Sequence, residues 1–597
     1  MVLSSTLLLC AAAPAVMALS VGKRQAAGAY SLPISSANST ARAAALSVKR
    51  AGWEYGPFLD TAAPFYPKGE LGDAVTFQLP DGQGLTCVTS WNTTQQDPQS
   101  AKSSADAQAN MVSIVSTGGL TTLEDYNKLY DNSWTNSAPN GPWKGMLQNY
   151  TSDLLFGMER LSTSPYSVKR LQPTDSLPFT VDNAASISGQ SLEALLAGNR
   201  LFLVDYSSFK DLPLSAGKYA AACQAYFYIH PQSGDFLPLA IKTNVGSDLT
   251  YTPEDSENDW LLAKMLFNIN DGFNQEFEHF AASHWVAEIA YLAAIRTLSE
   301  EHPIMPIVHR LMKLAWAMRP AAAERLLFAG GPVERLYPWT GGLALKYATD
   351  LYLSGVSGSF TGGYFETDLE KRGLLGKDGV PKFKTFPYYE DASVIVSSIQ
   401  GFMSTLVDSY YSDDKAIQQD IELQAWISEA TEAEIIDFPA SPLGTKKDLV
   451  KLLTHIAYLV SVKHGVSNTN SVVATLSLPF HPFALWAPLP TEKGVTNVVP
   501  FLPGVEASVG QLLLEVSFNR PTWVNSDENI IHMFADSDVL SKMDTKVQGA
   551  ATKFASEMTA FSGKVSSRTF DKDGLSQGMP FVWQALDPNQ AGYWLAV

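Results

Sequence analysis

Two histidines five residues apart, His279 and His284, are the first candidates for chemistry in this sequence. They lie in a long stretch with few helix breakers, in which apolar residues recur at helical spacing. On a regular helix this spacing places the two imidazoles about 140° apart around the axis. In that geometry they are too far apart to bind the same metal ion. They converge only if a π-turn widens the helix, and such turns often occur at functional sites. A metal-binding pair and two unrelated structural histidines both remain open.

A second pair, His464 and Asn468, has the four-residue spacing that brings side chains onto one helix face. Imidazole nitrogen and amide oxygen are both possible metal ligands, although an asparagine oxygen is a weak and hard one. A pair of this kind, taken alone, is more often structural than functional.

The chain end is the third unusual feature. Residues 592–597 are glycine, aromatic or aliphatic, whereas chain ends are usually polar and frayed. This composition predicts that the terminus is buried, and a buried carboxylate needs a cation or a metal as its partner. Each of the three features is weak alone, and their combination indicates a metal site.

Charge and missing motifs exclude several other classes of function. The chain has 60 acidic and 42 basic side chains, for a net charge of -18, and no basic cluster longer than a pair. Such a field repels phosphate backbones, so we expect no nucleic-acid partner. The phosphate-binding and zinc-protease motifs are absent. The run Gly355–Ser359 resembles a serine-hydrolase elbow but lacks its final glycine.

The elements that must position these residues are mainly helical. Hydrophobic residues make up 46% of the 597 residues, enough for a large core. Up to about residue 250 the pattern is mixed, with strand-like runs at 74–79 and 222–229. Beyond residue 255 we predict one large helical body, with helices at 260–298, 307–318, 391–410, 413–430, 446–462 and 506–516.

The N-terminus predicts export from the cell. Residues 1–18 have the apolar run and small-residue cleavage site of a signal peptide, although no Lys or Arg precedes the run. Residues 19–50, rich in Ala and Ser, are predicted to be a flexible leader or propeptide, and 51–597 to be the main domain. No later segment approaches 18 uninterrupted apolar residues, so we expect no stable membrane insertion.

Two further features fit an extracellular protein. Asn38, Asn92 and Asn149 lie in acceptor triplets for N-glycosylation. Outside the predicted signal peptide the cysteines are Cys87 and Cys223, which could form one disulfide or remain two buried thiols.

In combination, these motifs resemble the lipoxygenase family. Trp260–Lys264, Asn270-Asp271, the His279/His284-Trp285 motif and the run His302–His309 follow the metal-helix region of that family in order and spacing. His464 and Asn468 resemble its second metal-helix motif, and the apolar end resembles its use of the terminal carboxylate as a ligand. The resemblance extends from about residue 255 to 597 and is faint before residue 240.

The resemblance implies a mainly α, lipoxygenase-type helical catalytic domain over residues 51–597. Plant and animal lipoxygenases usually carry an N-terminal β-barrel lipid-binding domain and end in Ile, whereas this chain is short, predicted to be secreted, and ends in Val597. It is most similar to the secreted fungal branch, which lacks the barrel and includes manganese enzymes.

By resemblance, the metal ligands are His279, His284, His464, Asn468 and the carboxylate of Val597. Three further roles are implied for residues around them: Gln275 orients the ligands, Ala322 influences which end and face of the substrate receives oxygen, and Arg520 binds the fatty-acid carboxylate. Alternative interpretations are a helix-forming alanine for Ala322 and a surface arginine for Arg520. His302, His309 and His455 are interpreted as structural.

The implied function is a dioxygenase that inserts O2 into polyunsaturated fatty acids with a 1Z,4Z-pentadiene, such as linoleic and linolenic acid. A metal(III)-hydroxide would abstract a hydrogen atom, and the product would be a hydroperoxide. The five candidate ligands suit a roughly octahedral ion with one open position, and a redox-active one, since zinc prefers fewer ligands. We expect one Mn ion per chain, with Fe as the alternative. A catalytically silent lipid-binding protein and a haem peroxidase are the rivals.

Overall fold

The computed structural model of the chain describes residues 29–36, 39–52, 92–131, 134–245, 248–313, 315, 325–376, 383–433, 435–468 and 477–595. The predicted signal peptide, the strand-like run at 74–79, Cys87, Asn38, Ala322 and Val597 lie outside these residues. The predictions that concern them therefore remain predictions.

Helices dominate the described part of the chain. They are α1 Ser39–Gly52, α2 Asp97–Ser116, α3 Met146–Asn149, α4 Asp153–Glu159, α5 Ala184–Ser188, α6 Leu192–Ala197, α7 Glu257–His279, α8 Val286–Thr297, α9 Met305–Leu311, α10 Pro332–Leu336, α11 Gly341–Leu353, α12 Phe365–Lys371, α13 Pro387–Tyr410, α14 Asp414–Gln419, α15 Ile421–Glu432, α16 Lys446–Tyr458, α17 His464–Ser467, α18 Val505–Ser517, α19 Ser537–Leu540 and α20 Thr545–Ser566. Segments of π-helix occupy Asn92–Gln96, Phe280–Trp285 and Leu459–Lys463. The mainly α fold is confirmed.

One antiparallel sheet is formed by residues that precede helix α7 in the sequence. Its strands follow chain order: β1 Lys169–Arg170, β2 Leu201–Asp205, β3 Gln224–Ile229, β4 Phe236–Lys242 and β5 Thr250–Tyr251. Helix α4 packs directly on β4. The two backbones approach so closely that a Cβ added at Gly157 would lie 2.2 Å from the Phe236 carbonyl oxygen. Within the described ranges the strands form this single small sheet, and no β-barrel domain accompanies the helices.

A long buried helix runs through the centre of the fold. Helix α7 begins at Ser256, whose hydroxyl accepts a hydrogen bond from the Asp259 amide. It continues through the π-turn into α8, and nearly every side chain of α8 is buried. A helix that is apolar around its whole circumference must be surrounded by other elements. Helix α15 is one of them, and its Trp426 donates from Nε1 to the Ala290 carbonyl at 2.9 Å.

Most predicted helices are present, with shifted ends. The helix predicted at 260–298 corresponds to α7, the π-turn and α8, and the one at 506–516 corresponds to α18. The helix expected at 413–430 is divided in two, because Asp420 ends α14 and caps α15. The helix predicted at 307–318 corresponds to α9, Met305–Leu311, and most of its predicted second half lies outside the described residues.

Part of the predicted leader is folded. Residues 39–52 form helix α1, which packs on α8. The buried Arg42 guanidinium donates to both carboxylate oxygens of Glu422, at 2.6 and 3.0 Å. The Ala-rich composition that indicated flexibility also gives a high helix propensity, and burial of Arg42 selects the helical state. The structure therefore differs from the flexible leader expected at residues 39–50.

Three histidines make structural contacts, as interpreted from the sequence. His302 Nε2 lies 3.0 Å from Asp420 Oδ2, and Tyr411 donates to the same oxygen at 2.7 Å. His309 Nδ1 lies 2.8 Å from the hydroxyl of Tyr291. His455 is buried against aromatic rings, the closest being that of Phe360.

Cys223 is a buried free thiol, and burial raises its pKa far above the usual range. Of the two alternatives considered for Cys223, a disulfide or a buried thiol, the structure therefore has the buried thiol. Among the described residues, no helix combines the length and the apolar character needed to cross a membrane.

We expect Asp420→Ala to destabilise the fold by roughly 3–5 kcal/mol, because it leaves His302 buried without its carboxylate. Burial favours the neutral form of Asp420, but His302 and the hydrogen bonds outweigh it and hold the pKa below the usual range. The stabilisation is therefore present above the usual aspartate pKa and is lost as the pH falls through the folded value. Denaturant unfolding at several pH values measures the change.

Asp413→Ala is the matched control, because Asp413 caps α14 from an exposed position with one backbone hydrogen bond. Loss of such a cap costs about 1 kcal/mol. Equal losses for the two variants would contradict a buried ion pair at Asp420.

Candidate metal centre

The π-turn expected between His279 and His284 is present. Residues Phe280–Trp285 are π-helical, with α7 before them and α8 after them. The wider turn brings the two imidazole rings to a centroid distance of 5.2 Å. Ser283 supports the turn, since its hydroxyl donates to the His279 carbonyl four residues earlier.

A second π-turn, which was not predicted, positions His464. Residues Leu459–Lys463 are π-helical and lead directly into the short helix α17, which starts at His464. Here too a serine supports the turn: the Ser461 hydroxyl donates to the carbonyl of Ala457, four residues earlier. A serine that bonds back to the carbonyl four residues earlier is too frequent in ordinary helices to identify a π-turn from the sequence.

The three histidines form one buried cluster. Ring nitrogens of His279, His284 and His464 all lie within 4.8 Å of one another, and no carboxylate joins them among the described residues. The Nε2 atoms of His284 and His464 are 3.1 Å apart. Two nitrogens bound to one ion at about 2.1 Å and at a right angle are about 3 Å apart, so this spacing fits adjacent ligands of an octahedral metal.

Asn468 joins the cluster from the end of α17. Its backbone N–H donates to the His464 carbonyl at 2.8 Å, and its amide lies 3.4 Å from His279 Nε2. A half-turn of the amide group exchanges nitrogen for oxygen at this position, which presents the oxygen to an ion held by the imidazoles. Asn468 thus lies beside the histidine cluster, and its assignment as a ligand stays a prediction.

The cluster is uncharged at neutral pH. Burial lowers the pKa of His279 to about 4. Burial, reinforced by the other imidazoles, also holds the pKa values of His284 and His464 well below the usual range. Neutral imidazoles keep the lone pair that a metal needs, and three of them in one apolar place fit a bound cation.

Gln275 and the C-terminal segment lie beside the cluster. Gln275 donates from Nε2 to the Val466 carbonyl at 3.4 Å, so it connects the two helices that carry the ligands. The segment that ends at Leu595 is buried, and Ala591 packs opposite Gly465, next to His464. The described part of the C-terminal segment is therefore buried up to Leu595, and burial of Val597 itself, beyond the described residues, stays a prediction.

Two cavities adjoin helix α18, and the narrower one lies next to the metal centre. The wide cavity, of about 900 Å³, lies between α2, α10 and α18 and is largely apolar. The narrow cavity has room for about one water-sized group and is lined by Phe277 and Phe280, next to His279. Leu326 and Leu514 line both cavities, so the two spaces adjoin at these side chains.

Arg520 is buried rather than at the surface, with 2% of its side chain exposed. Its Nη1 donates to the carbonyls of Ser517 and Asn519, and its Nη2 donates to Gln96 Oε1 at 2.7 Å. Gln96 and Ser517 line the wide cavity. Arg520 therefore lies one side chain behind the cavity wall, and its predicted role in carboxylate binding remains a prediction.

Comparison with known proteins places this arrangement in a family. The lipoxygenase family model matches residues 172–507, so the similarity begins well before residue 240, where the motifs are faint. Manganese lipoxygenases of Colletotrichum gloeosporioides and Fusarium oxysporum are 42% and 44% identical, over 95% and 91% of this chain and 93% and 88% of their own. A solved manganese lipoxygenase superposes with a TM-score of 0.90 at 42% identity, covering 95% of this chain and all of the other.

Replacement of His279, His284 or His464 by alanine should lower bound metal by more than about tenfold, because each change removes one ligand. Elemental analysis of the purified variants gives the metal content, and circular dichroism verifies the fold. His532→Ala is the control, since His532 is partly exposed and outside the cluster. A cluster variant that is folded and keeps the parental metal content would show that its histidine is not a ligand.

Proposed function

Since the chain belongs to the lipoxygenase family, whose members are fatty-acid dioxygenases, we propose that it oxygenates linoleic and linolenic acid with a manganese ion at the histidine cluster. The general activity, insertion of O2 into a fatty acid, follows from family membership. The choice of metal, the substrates and the mechanism are the proposed parts. The product of the proposed reaction is a hydroperoxide of the 1Z,4Z-pentadiene.

The observation that carries the proposal is the convergence of three neutral imidazoles on two π-turns. The 3.1 Å between His284 Nε2 and His464 Nε2 suits adjacent ligands of one ion. A purely structural pair of histidines needs neither π-turn. A catalytically silent lipid-binding protein would have no reason to retain this cluster, and its retention favours the enzyme.

Manganese is preferred over iron because the relatives at 42% and 44% identity are manganese lipoxygenases by name. Bound there, such an ion would supply one-electron chemistry between its divalent and trivalent states, as needed to remove a hydrogen atom from a doubly allylic carbon. Iron would supply the same chemistry and remains the alternative.

The chain itself contributes ligand geometry and a dry environment. The three imidazoles are held by buried helices, and we propose that Asn468 and the Val597 carboxylate complete the set. Gln275 connects the two ligand helices through the Val466 carbonyl. Outer contacts of this kind fix ligand orientation and commonly affect metal affinity.

The wide cavity is the proposed entry for the acyl chain. Its volume of about 900 Å³ lies within the usual range of ligand cavities, and its apolar lining suits a hydrocarbon chain. We propose that Arg520, behind this wall, contributes positive charge toward the substrate carboxylate. Ala322 is proposed to influence where oxygen is added.

We also propose that the protein is secreted, with N-glycans on some of its acceptor triplets. The support is the signal-like N-terminus and the three triplets. At Asn149 the side-chain amide already donates to the Pro580 carbonyl at 2.8 Å. A glycan on this nitrogen competes with that contact, so Asn38 and Asn92 are the better acceptors.

The proposed function is tested by metal analysis and product analysis on the same sample. We expect about one manganese ion per chain and conversion of linoleic acid to a conjugated diene hydroperoxide, with O2 uptake matching product. Iron in place of manganese would select the alternative metal. Folded, manganese-loaded protein without O2 uptake would contradict the enzyme and favour the silent lipid-binding protein.

A C-terminal extension tests the role of Val597. If its free carboxylate is a ligand, one added residue converts it into a neutral amide carbonyl, and both metal and activity should be lost. Val597→Ile keeps the carboxylate and should be tolerated. Full metal content and activity in a C-terminally tagged protein, measured beside a version tagged after the signal peptide, would contradict the assignment.

A further inference from the structure

The narrow cavity next to the metal centre contains two carboxyl groups and Tyr337 among otherwise apolar side chains. Its described lining consists of nine apolar or aromatic residues and two glutamates, Glu276 on α7 and Glu515 on α18. No Lys, Arg or His is among these lining residues. The oxidation of a hydrocarbon chain, as described above, does not require an acid at this place.

The Glu515 side chain is fixed in orientation. Its Oε1 accepts a hydrogen bond from Gln511 Nε2 at 2.8 Å. Gln511 is itself held, since Nε2 also donates to the His481 carbonyl and Oε1 accepts from the Phe483 amide. Glu515 is only 1% exposed, and its Oε2 has no hydrogen-bond partner among the described residues. One oriented oxygen is therefore available to a ligand.

The Glu515 carboxyl is neutral at physiological pH. Burial raises its pKa well above the usual range, and the hydrogen bond from Gln511 offsets this only in part. Because Oε1 accepts from Gln511, the acid proton resides on Oε2. Glu515 thus presents an O–H donor to the cavity rather than a negative charge.

The partner of this donor must be an uncharged polar group. A fatty-acid carboxylate would be buried here without a cation, and burial of an unpaired charge is strongly unfavourable. A hydroxyl group carries no charge and can accept the hydrogen bond from Oε2. The cavity has room for a group of about that size.

We propose that Glu515 forms a polar subsite of the acyl-chain cavity, which binds a hydroxyl group carried by the chain. The ligand class is a hydroxylated unsaturated fatty acid. The chain lies in the wide cavity and reaches the subsite between Leu326 and Leu514, which line both spaces. This inference rests on the proposed function, because it needs a fatty acyl chain in the wide cavity.

The test measures displacement of a fluorescent fatty acid from the metal-loaded protein. The competitors are linoleic acid and the two positional alcohols made by reducing autoxidised linoleic acid. Glu515→Leu should weaken binding of at least one alcohol by about three- to tenfold, the effect of one lost neutral hydrogen bond. Binding of linoleic acid should change less than twofold.

Glu515→Gln distinguishes loss of the hydrogen-bond donor from a general structural effect. Its amide oxygen accepts from Gln511 and its NH2 group replaces the donor, so alcohol binding should stay within about twofold of the parent. Glu257→Leu is the matched control, since Glu257 is exposed and lines neither cavity. It should leave the binding of both alcohols unchanged.

Equal weakening of linoleic acid and the alcohols by Glu515→Leu, or no change for either alcohol, would overturn the subsite. Loss of alcohol binding in Glu515→Gln as well would overturn the donor assignment. If linoleic acid neither displaces the probe nor is oxygenated by the parent protein, the proposed function fails. If the parent protein binds and oxygenates linoleic acid normally, but Glu515→Leu leaves alcohol binding unchanged, only the subsite is overturned.

Discussion

Everything in this fold depends on holding three neutral imidazoles within 4.8 Å of one another in an apolar interior. A regular helix cannot do this with residues five apart, and the chain meets the constraint with two π-turns. Each turn disturbs the helical hydrogen bonding, which a serine hydroxyl supports at the His279 and Ala457 carbonyls. The surrounding helices bury both turns, so that a locally unfavourable backbone is retained in the place where it brings the ligands together.

The apolar surroundings of the cluster also determine the character of the substrate site. The same burial that keeps His279, His284 and His464 neutral keeps Glu515 neutral on the neighbouring cavity wall. The described lining of the narrow cavity has no Lys, Arg or His, and burial raises the pKa of its other carboxyl, Glu276, to about 8. The cations lie at the wide cavity: Arg325 and Arg335 line it, and Arg520 is held behind its wall by Gln96 and two carbonyls. The site thus separates the reacting part of the chain from its charged end.

Much of this arrangement is predictable from the sequence. Convergence of His279 and His284 on one ion required a π-turn, and the turn is present. The turn before His464 was not predictable, since the four-residue spacing to Asn468 is satisfied by an ordinary helix. Apolar periodicity predicted one continuous helix where Asp420 divides the chain into two. The break was not predictable, because the contact of Asp420 with His302 is a tertiary interaction. Glu515 carries no local signal either, since its neutrality depends on residues distant in the sequence.

The central claim is that one redox-active ion sits among the three imidazoles. Anomalous diffraction from crystals of the purified protein, recorded on both sides of the manganese absorption edge, tests it most directly. The account predicts a single peak per chain, about 2.2 Å from ring nitrogens of His279, His284 and His464, that appears only above that edge. A folded protein with no anomalous peak between these imidazoles, or with its metal bound elsewhere, would contradict the account.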